Sequence, residues 1–169
     1  MQERGALEAS FQASLAERTD RTTDLLRHLL ADLPFEGVSA GEVDAIRFEY
    51  DYPSFVPVAL AVNGRTGYVG EFEMVDLLVP GEHSVFDRGR LDRYVETLSE
   101  DEQADVRDEL DWLQMARYEA WFRECWAAVR GTRPAVRGLI SIHDSSWVMD
   151  LDTGDKLRED ACGVEAWAG

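Results

Sequence analysis

Three residues of this chain have the side-chain types of a thiol hydrolase: Cys125 as nucleophile, His143 as base and Asp144 as the group that orients the base. Cys125, however, stands between Phe122 and Trp126, and a cysteine in such surroundings usually behaves as a small buried hydrophobe. With the two serines that follow them, His143 and Asp144 also have the side-chain types of a serine triad. Sequence neighbours at a strand end point in different directions, however, so they cannot form a triad unaided. The sequence therefore predicts no catalytic residue. A small enzyme or metal-dependent hydrolase with a site near His143 is the alternative.

Two acidic stretches have the composition of a hard-metal site. Residues 150–155 (Asp-Leu-Asp-Thr-Gly-Asp) have some of the acidic spacing of a calcium loop. Their glycine comes one position early, and no glutamate stands at the bidentate position. A hairpin turn needs the same residues. A solvated strand face accounts for the second stretch, which consists of Glu71, Glu73, Asp76, Glu82 and His83. We therefore expect neither a metal site nor a cofactor.

The charge of the chain limits its partners. Its 169 residues carry 17 basic against 34 acidic side chains, a formal net charge of -17. Such a field opposes nucleic acid and anionic membranes and favours a basic partner, a cation, or solubility alone. No segment approaches the roughly 18 apolar residues of a membrane span, and the N-terminus has no apolar signal core. Cys125 and Cys162 form no disulfide pattern, so we expect a reduced, cytoplasmic protein.

The strongest structural signal is a long helix over residues 99–130. Ser99 and Glu102 form a capping-box pattern at its start, and Gly131 is the candidate C-cap. The first half is acidic with a thin apolar stripe, whereas the second half is apolar around more than half its circumference. We therefore expect the second half to be buried against strands at 56–62 and 139–142, and the first half to face solvent.

The remaining elements follow from periodicity and from turn residues. An amphipathic helix spans residues 7–33 and ends before Pro34, with a bend left open where polar residues 18–22 interrupt its leucine stripe. A short helix at 88–98 leads into the long one. Residues 156–167 form either a closing helix or a further strand with a loose tail. Strands are predicted at 46–52, 55–62, 68–74 (with an extension to 79 left open), 136–143 and 147–151.

These elements predict a single α+β domain over residues 1–169. An antiparallel sheet of about five strands packs against the long central helix and the N-terminal helix, in the order α-β-β-β-α-β-β-terminal element. This order, together with the size and acidity of the chain, resembles the small acidic chaperones of type III secretion and their bacterial relatives. It is also broadly similar to small intracellular immunity proteins of toxin systems. No residue motif carries the resemblance, so it transfers no binding residue to this chain.

Trp112 is the candidate anchor of a partner-binding surface. On a helical projection it lies away from the apolar stripe and among acids, which is the composition of an interface anchor with a polar rim. The alternative is that the short preceding helix or the C-terminal tail folds over it. We expect an adaptor, chaperone or toxin-neutralising protein that binds a basic protein; a homodimer and a structural subunit of a larger assembly are further alternatives. The predicted partner-binding residues are Asp101, Asp105, Asp108, Glu109, Asp111 and Trp112.

Overall fold

The computed structural model describes residues 2–74 and 88–158 and confirms the α+β class. Within these residues, three α-helices and six strands follow one another in nearly the predicted order. The short helix and the long one are separate elements, and two 3-10 turns lie at Ala40–Glu42 and Arg130–Thr132. The elements are α1 (Gln2–Asp32), β1 (Ala45–Tyr50), β2 (Pro57–Asn63), β3 (Gly67–Glu73), α2 (Arg88–Val95), α3 (Glu100–Val129), β4 (Arg137–Ile142), β5 (Trp147–Asp150) and β6 (Lys156–Arg158).

The sheet is mixed, which corrects the expectation of a wholly antiparallel one. Its strand order is β3-β2-β1-β4-β5-β6. β1 and β4 run parallel, with Phe48 opposite Ile140, whereas the other neighbouring strands are antiparallel. The chain reaches β4 only after crossing the sheet through α2 and α3, and parallel neighbours require such a crossover connection. Because residues 75–87 and 159–169 are not described, the extension of β3 to residue 79 and the tail after β6 lie outside the described residues.

The sixth strand, β6, settles one of the two alternatives for the terminal element. Lys156–Arg158 pairs antiparallel with β5, with Leu157 opposite Val148. The strand alternative is therefore confirmed over these three residues. β6 places Lys156 at one edge of the sheet, on the same face as Met149.

α3 covers one face of the sheet, and α1 packs against α3. Phe122 and Trp126 of α3 lie against Phe48 of β1, with ring centroids 4.9 and 5.8 Å apart. Trp126 also lies against Gly138 of β4. The helix α3 therefore contacts β4 at Gly138, the residue before the predicted contact range 139–142. Its rings also contact the central strand β1. Ala59, on the helix-facing side of β2, is fully buried.

α1 continues through the polar residues that left a bend open. The Arg18 guanidinium donates to the Ser14 carbonyl at 2.9 Å, and the Thr19 hydroxyl accepts from Trp121 Nε1 at 3.0 Å. These polar side chains thus bind within α1 and across to α3, and the helix stays continuous. Its predicted apolar stripe is buried at Leu7, Phe11, Leu15, Leu26, Leu29, Leu30 and Leu33.

The start of α3 is the predicted one, but its end differs. Ser99 is the N-cap, and its amide donates to the Glu102 carboxylate at 3.2 Å, within the expected capping box. The C-cap is Arg130, in helical conformation, and the chain continues directly into the 3-10 turn Arg130–Thr132. The prediction of Gly131 as C-cap is therefore wrong, because the 3-10 turn needs no left-handed residue at that position.

Candidate functional site: a tryptophan-lined groove beside α3

An open groove of about 380 Å³ lies between α3 and the strands β4, β5 and β6. Its volume is at the lower end of the range for ligand pockets. The helix side is lined by Trp112, Met115, Ala116 and Glu119, and the sheet side mainly by Ile142, Trp147, Met149 and Lys156.

Helix and strand geometry explain why these residues meet. Positions 112, 115, 116 and 119 follow the spacings of three and four that put side chains on one face of a helix. Trp147 and Met149 are two residues apart on β5 and so share one face of the sheet. Met149 pairs with Ile140 of β4, and Ile140 pairs with Phe48, whose ring contacts α3. This face of β5 therefore points toward the helices.

Two exposed tryptophans flank the groove. Trp112 is 69% exposed and Trp147 is 54% exposed, whereas Trp121 and Trp126 belong to the core. Among the described residues, the other large hydrophobic side chain with comparable exposure is Tyr68, on β3 at the opposite edge of the sheet. The groove therefore combines an apolar lining with two large aromatic side chains that are left in contact with water.

One buried polar group lies within the groove. The Glu119 side chain is 12% exposed, and its Oε1 accepts a 3.0 Å hydrogen bond from the Tyr50 hydroxyl. Burial, and then the negative charge of Glu119, raise the pKa of Tyr50 well above its ordinary value. Tyr50 therefore keeps its proton and serves as a donor to Glu119. Lys156 Nζ lies 3.6 Å from the second oxygen, Oε2.

The predicted partner-binding residues divide into two groups. Asp101, Asp105 and Asp108 are exposed, and with Trp112 they follow spacings of four, three and four along a single face of α3. This face, here called the acidic stripe (Asp101, Asp105, Asp108), leads directly to Trp112 and the groove. The acids are therefore aligned with the groove and not scattered around the helix.

The other two predicted residues bind within the chain. Glu109 accepts two hydrogen bonds from Arg4 of α1, at 2.6 and 3.0 Å, and these bonds lower the pKa of its carboxyl group. Asp111 is half-buried and accepts a hydrogen bond from the Tyr52 hydroxyl. Both carboxylates thus contribute to the contacts of α3 with its neighbours.

Sequence reasoning placed Trp147 on the right strand but not at a site. The alternation of residues 147, 149 and 151 already puts Trp147 and Met149 on one face. The alternation does not indicate, however, that α3 lies above β5. Glu119 and Lys156, about forty residues apart in sequence, are brought together for the same reason.

The candidate catalytic residues do not form one site. Cys125 is buried in the core, and burial raises the pKa of its thiol to about 11, against a hydrogen bond with Thr23 that lowers it. His143 is exposed, with Nδ1 3.4 Å from Glu49 Oε2. Glu49 alternates with Phe48, which contacts α3. His143 therefore lies on the face of the sheet opposite Cys125.

The calcium-like segment forms a turn whose carboxylates bind protein donors. Asp150 Oδ1 accepts from the amides of Asp152 and Thr153 at 2.8 and 3.1 Å, and its Oδ2 accepts from Arg137. Asp152 accepts from the Trp126 indole at 2.9 Å. These bonds engage both carboxylate oxygens of Asp150 and one oxygen of Asp152. Within residues 2–74 and 88–158, no group of three or more metal-ligating side chains is close enough to hold a metal ion.

The second acidic stretch is described only in part. Glu71 and Glu73 are exposed on one face of β3, and the Glu71 carboxylate accepts a 3.0 Å hydrogen bond from the Tyr68 hydroxyl. Asp76, Glu82 and His83 lie outside the described residues.

No protein-family model, curated protein or solved structure matches this chain. Over the described residues, none of the helices combines the length and the apolar character that a membrane span requires.

Proposed function

We propose that this protein is an acidic protein-binding module that recognises a basic protein partner, as an adaptor, a chaperone or a toxin-neutralising protein. The observation that carries the proposal is the single face of α3 on which Asp101, Asp105 and Asp108 lead to the exposed Trp112 at the groove. This arrangement has the parts of a protein interface, with an aromatic anchor at an apolar centre and charges around it.

The acidic stripe has an intrinsic cost that an interaction would offset. Like charges at spacings of three and four destabilise a helix by a few tenths of a kcal/mol per pair. Asp101, Asp105 and Asp108 keep this repulsion on an exposed face, in a chain whose net charge is already -17. A basic partner would relieve the repulsion, and long-range attraction would speed its encounter with the protein.

The exposed indoles supply the contact area. Tryptophan is enriched among the interface residues that carry most of the binding energy, because it buries a large apolar surface when a partner excludes water. Trp112 and Trp147 flank the same groove, so one partner segment can cover both. The free, buried thiol of Cys125 fits a reducing compartment. We therefore propose that the protein acts in the cytoplasm.

Affinity capture from an extract of the native cells tests the proposal. The full chain and its Trp112→Ala variant are immobilised, and captured proteins are compared at about 50 mM and 500 mM salt. We expect a basic protein that the wild-type chain retains at low salt and loses at high salt, and that Trp112→Ala retains at least several-fold less well.

Tyr68→Ala is the matched control. Tyr68 is also an exposed aromatic residue, but it lies on β3 at the opposite edge of the sheet. The proposal predicts that Tyr68→Ala captures the partner as well as the wild-type chain does. Capture that is equal at both salt concentrations, or equally reduced by both variants, would contradict it.

A further inference from the structure

At the polar end of the groove, one carboxylate oxygen of Glu119 accepts no hydrogen bond from the described residues. Glu119 Oε1 binds the Tyr50 hydroxyl at 3.0 Å. Its Oε2 has Lys156 Nζ at 3.6 Å, which is longer than a hydrogen bond. Glu119 is held in place by Tyr50, while its second oxygen is available to a better donor.

Lys156 shows that a cation is accommodated at this position. It is the single lysine of the chain, and its side chain is 59% exposed. An ion pair with one partner this exposed and this long contributes little to stability. Lys156 can therefore leave Glu119 at small cost when another cation arrives.

The lining of the groove favours a guanidinium group over an ammonium group. A guanidinium is planar and weakly hydrated, stacks on aromatic faces, and donates to a carboxylate through a fork of N–H groups. Trp112 and Trp147 offer the aromatic faces, and Glu119 offers the carboxylate. A compact, strongly hydrated ammonium would gain less from this apolar lining.

We propose that the groove binds an arginine side chain of the partner, with its guanidinium packed against Trp112 and Trp147 and donating to Glu119 in place of Lys156. This inference rests on the proposed function, whose basic partner it specifies. The acidic stripe would attract the basic segment around that arginine, and the groove would select the arginine itself.

Three synthetic peptides test the inference directly. The first is acetyl-Lys-Gly-Ser-Arg-Ser-Gly-Lys amide; in the other two, lysine or citrulline replaces the arginine. The lysine peptide keeps the charge, and the citrulline peptide keeps the shape. Binding is followed by the indole N–H signals of Trp112 and Trp147 in nuclear magnetic resonance spectra, assigned with Trp→Phe variants. We expect the arginine peptide to bind at least about fivefold more tightly than either analogue.

Variants of the protein test the role assigned to each charge. Glu119→Gln keeps the acceptor for Tyr50 but removes the charge, and it should weaken the arginine peptide about tenfold or more. Lys156→Met should strengthen binding about threefold, because it removes the competing cation. Arg65→Met makes the same change in net charge in the turn between β2 and β3. Because β2 lies four strand spacings from β6, or about 19 Å across the sheet at 4.8 Å per strand, this variant should change binding less.

Each result either supports or overturns the inference. Equal binding of the arginine and lysine peptides, with the Trp112 and Trp147 signals shifted by both, would overturn the arginine site but leave a basic partner in place. Weaker binding after Lys156→Met would show that Lys156 contacts the ligand, which also overturns the inference. If no peptide shifts either indole at low salt, the arginine site fails, and salt-sensitive capture of a partner decides the proposed function separately.

Discussion

The indole of Trp126 on α3 lies directly on Gly138 of β4, so that a Cβ atom at Gly138 would stand 2.4 Å from the ring atom Cε2. Trp126 is fully buried, and its Nε1 donates to Asp152 in the turn after β5 at 2.9 Å. A single side chain thus fixes the height of α3 above β4 and ties it to the turn between β5 and β6. The same packing positions α3 beside the strands that line the groove.

Gly138→Ala should lower the free energy of unfolding by about 1–3 kcal/mol, the usual cost of overpacking a close-packed core. The methyl group would meet a rigid ring rather than the end of a flexible side chain. Urea unfolding monitored by circular dichroism measures the change. Gly131→Ala is the control, because a Cβ there meets nothing within 4 Å. Similar losses in the two variants would show that the Trp126 contact is not the cause.

Trp126→Ala should cost about 3–5 kcal/mol, as expected for deleting a large buried aromatic side chain. Besides leaving a cavity, the change removes the donor to Asp152. Trp112→Ala deletes the same side chain from a position that is 69% exposed, and should change the free energy of unfolding by less than about 0.5 kcal/mol. A cost for Trp126→Ala below about 1 kcal/mol would be incompatible with its place in the core.

The local parts of this fold could be predicted from the sequence, and the pairing of distant strands could not. Ser99 and Glu102 mark the start of α3 because capping depends on residues three positions apart. The parallel alignment of β1 with β4 depends on how α2 and α3 cross the sheet, and no short-range pattern of residues encodes that path. The mixed sheet therefore became visible only in the assembled fold.

The same distinction applies to the candidate site. Trp112 stood out in the sequence because a large aromatic residue lay outside the apolar stripe of its own helix. Trp147, by contrast, has the ordinary alternation of a strand residue, and Glu119 and Lys156 are ordinary charges until α3 and β6 meet. A groove formed by elements that are distant in sequence thus escapes a search that proceeds element by element.

The capping box of α3 should stabilise the protein in a pH-dependent way. Hydrogen bonds from the Ser99 hydroxyl and amide lower the pKa of Glu102 below its ordinary value of about 4.5. Because the folded-state value is the lower one, the stabilisation is present above about pH 4.5 and is lost as the pH falls through that lower value. The difference in unfolding free energy between wild type and Glu102→Gln should therefore be constant from pH 7 to 5 and shrink toward pH 3.

Urea unfolding at several pH values measures this difference. Repeating the comparison in a Ser99→Ala background provides the control, since the Ser99 hydroxyl is the largest cause of the lowered pKa. The pH-dependent part should then be smaller. A difference that grows on acidification, or that Ser99→Ala leaves unchanged, would rule out the capping contacts as its origin.

The acidic stripe and Trp112 should act on different rate constants once a partner has been captured. Asp105→Asn with Asp108→Asn should slow association and weaken its salt dependence, because these charges act before contact. Trp112→Ala should mainly speed dissociation and cost roughly 2 kcal/mol or more, as anchors that are desolvated on binding do. Surface plasmon resonance at two salt concentrations separates the effects, with Glu17→Gln and Asp20→Asn on α1 as a control of equal charge. If that control slows association as much as the stripe variant, only net charge attracts the partner.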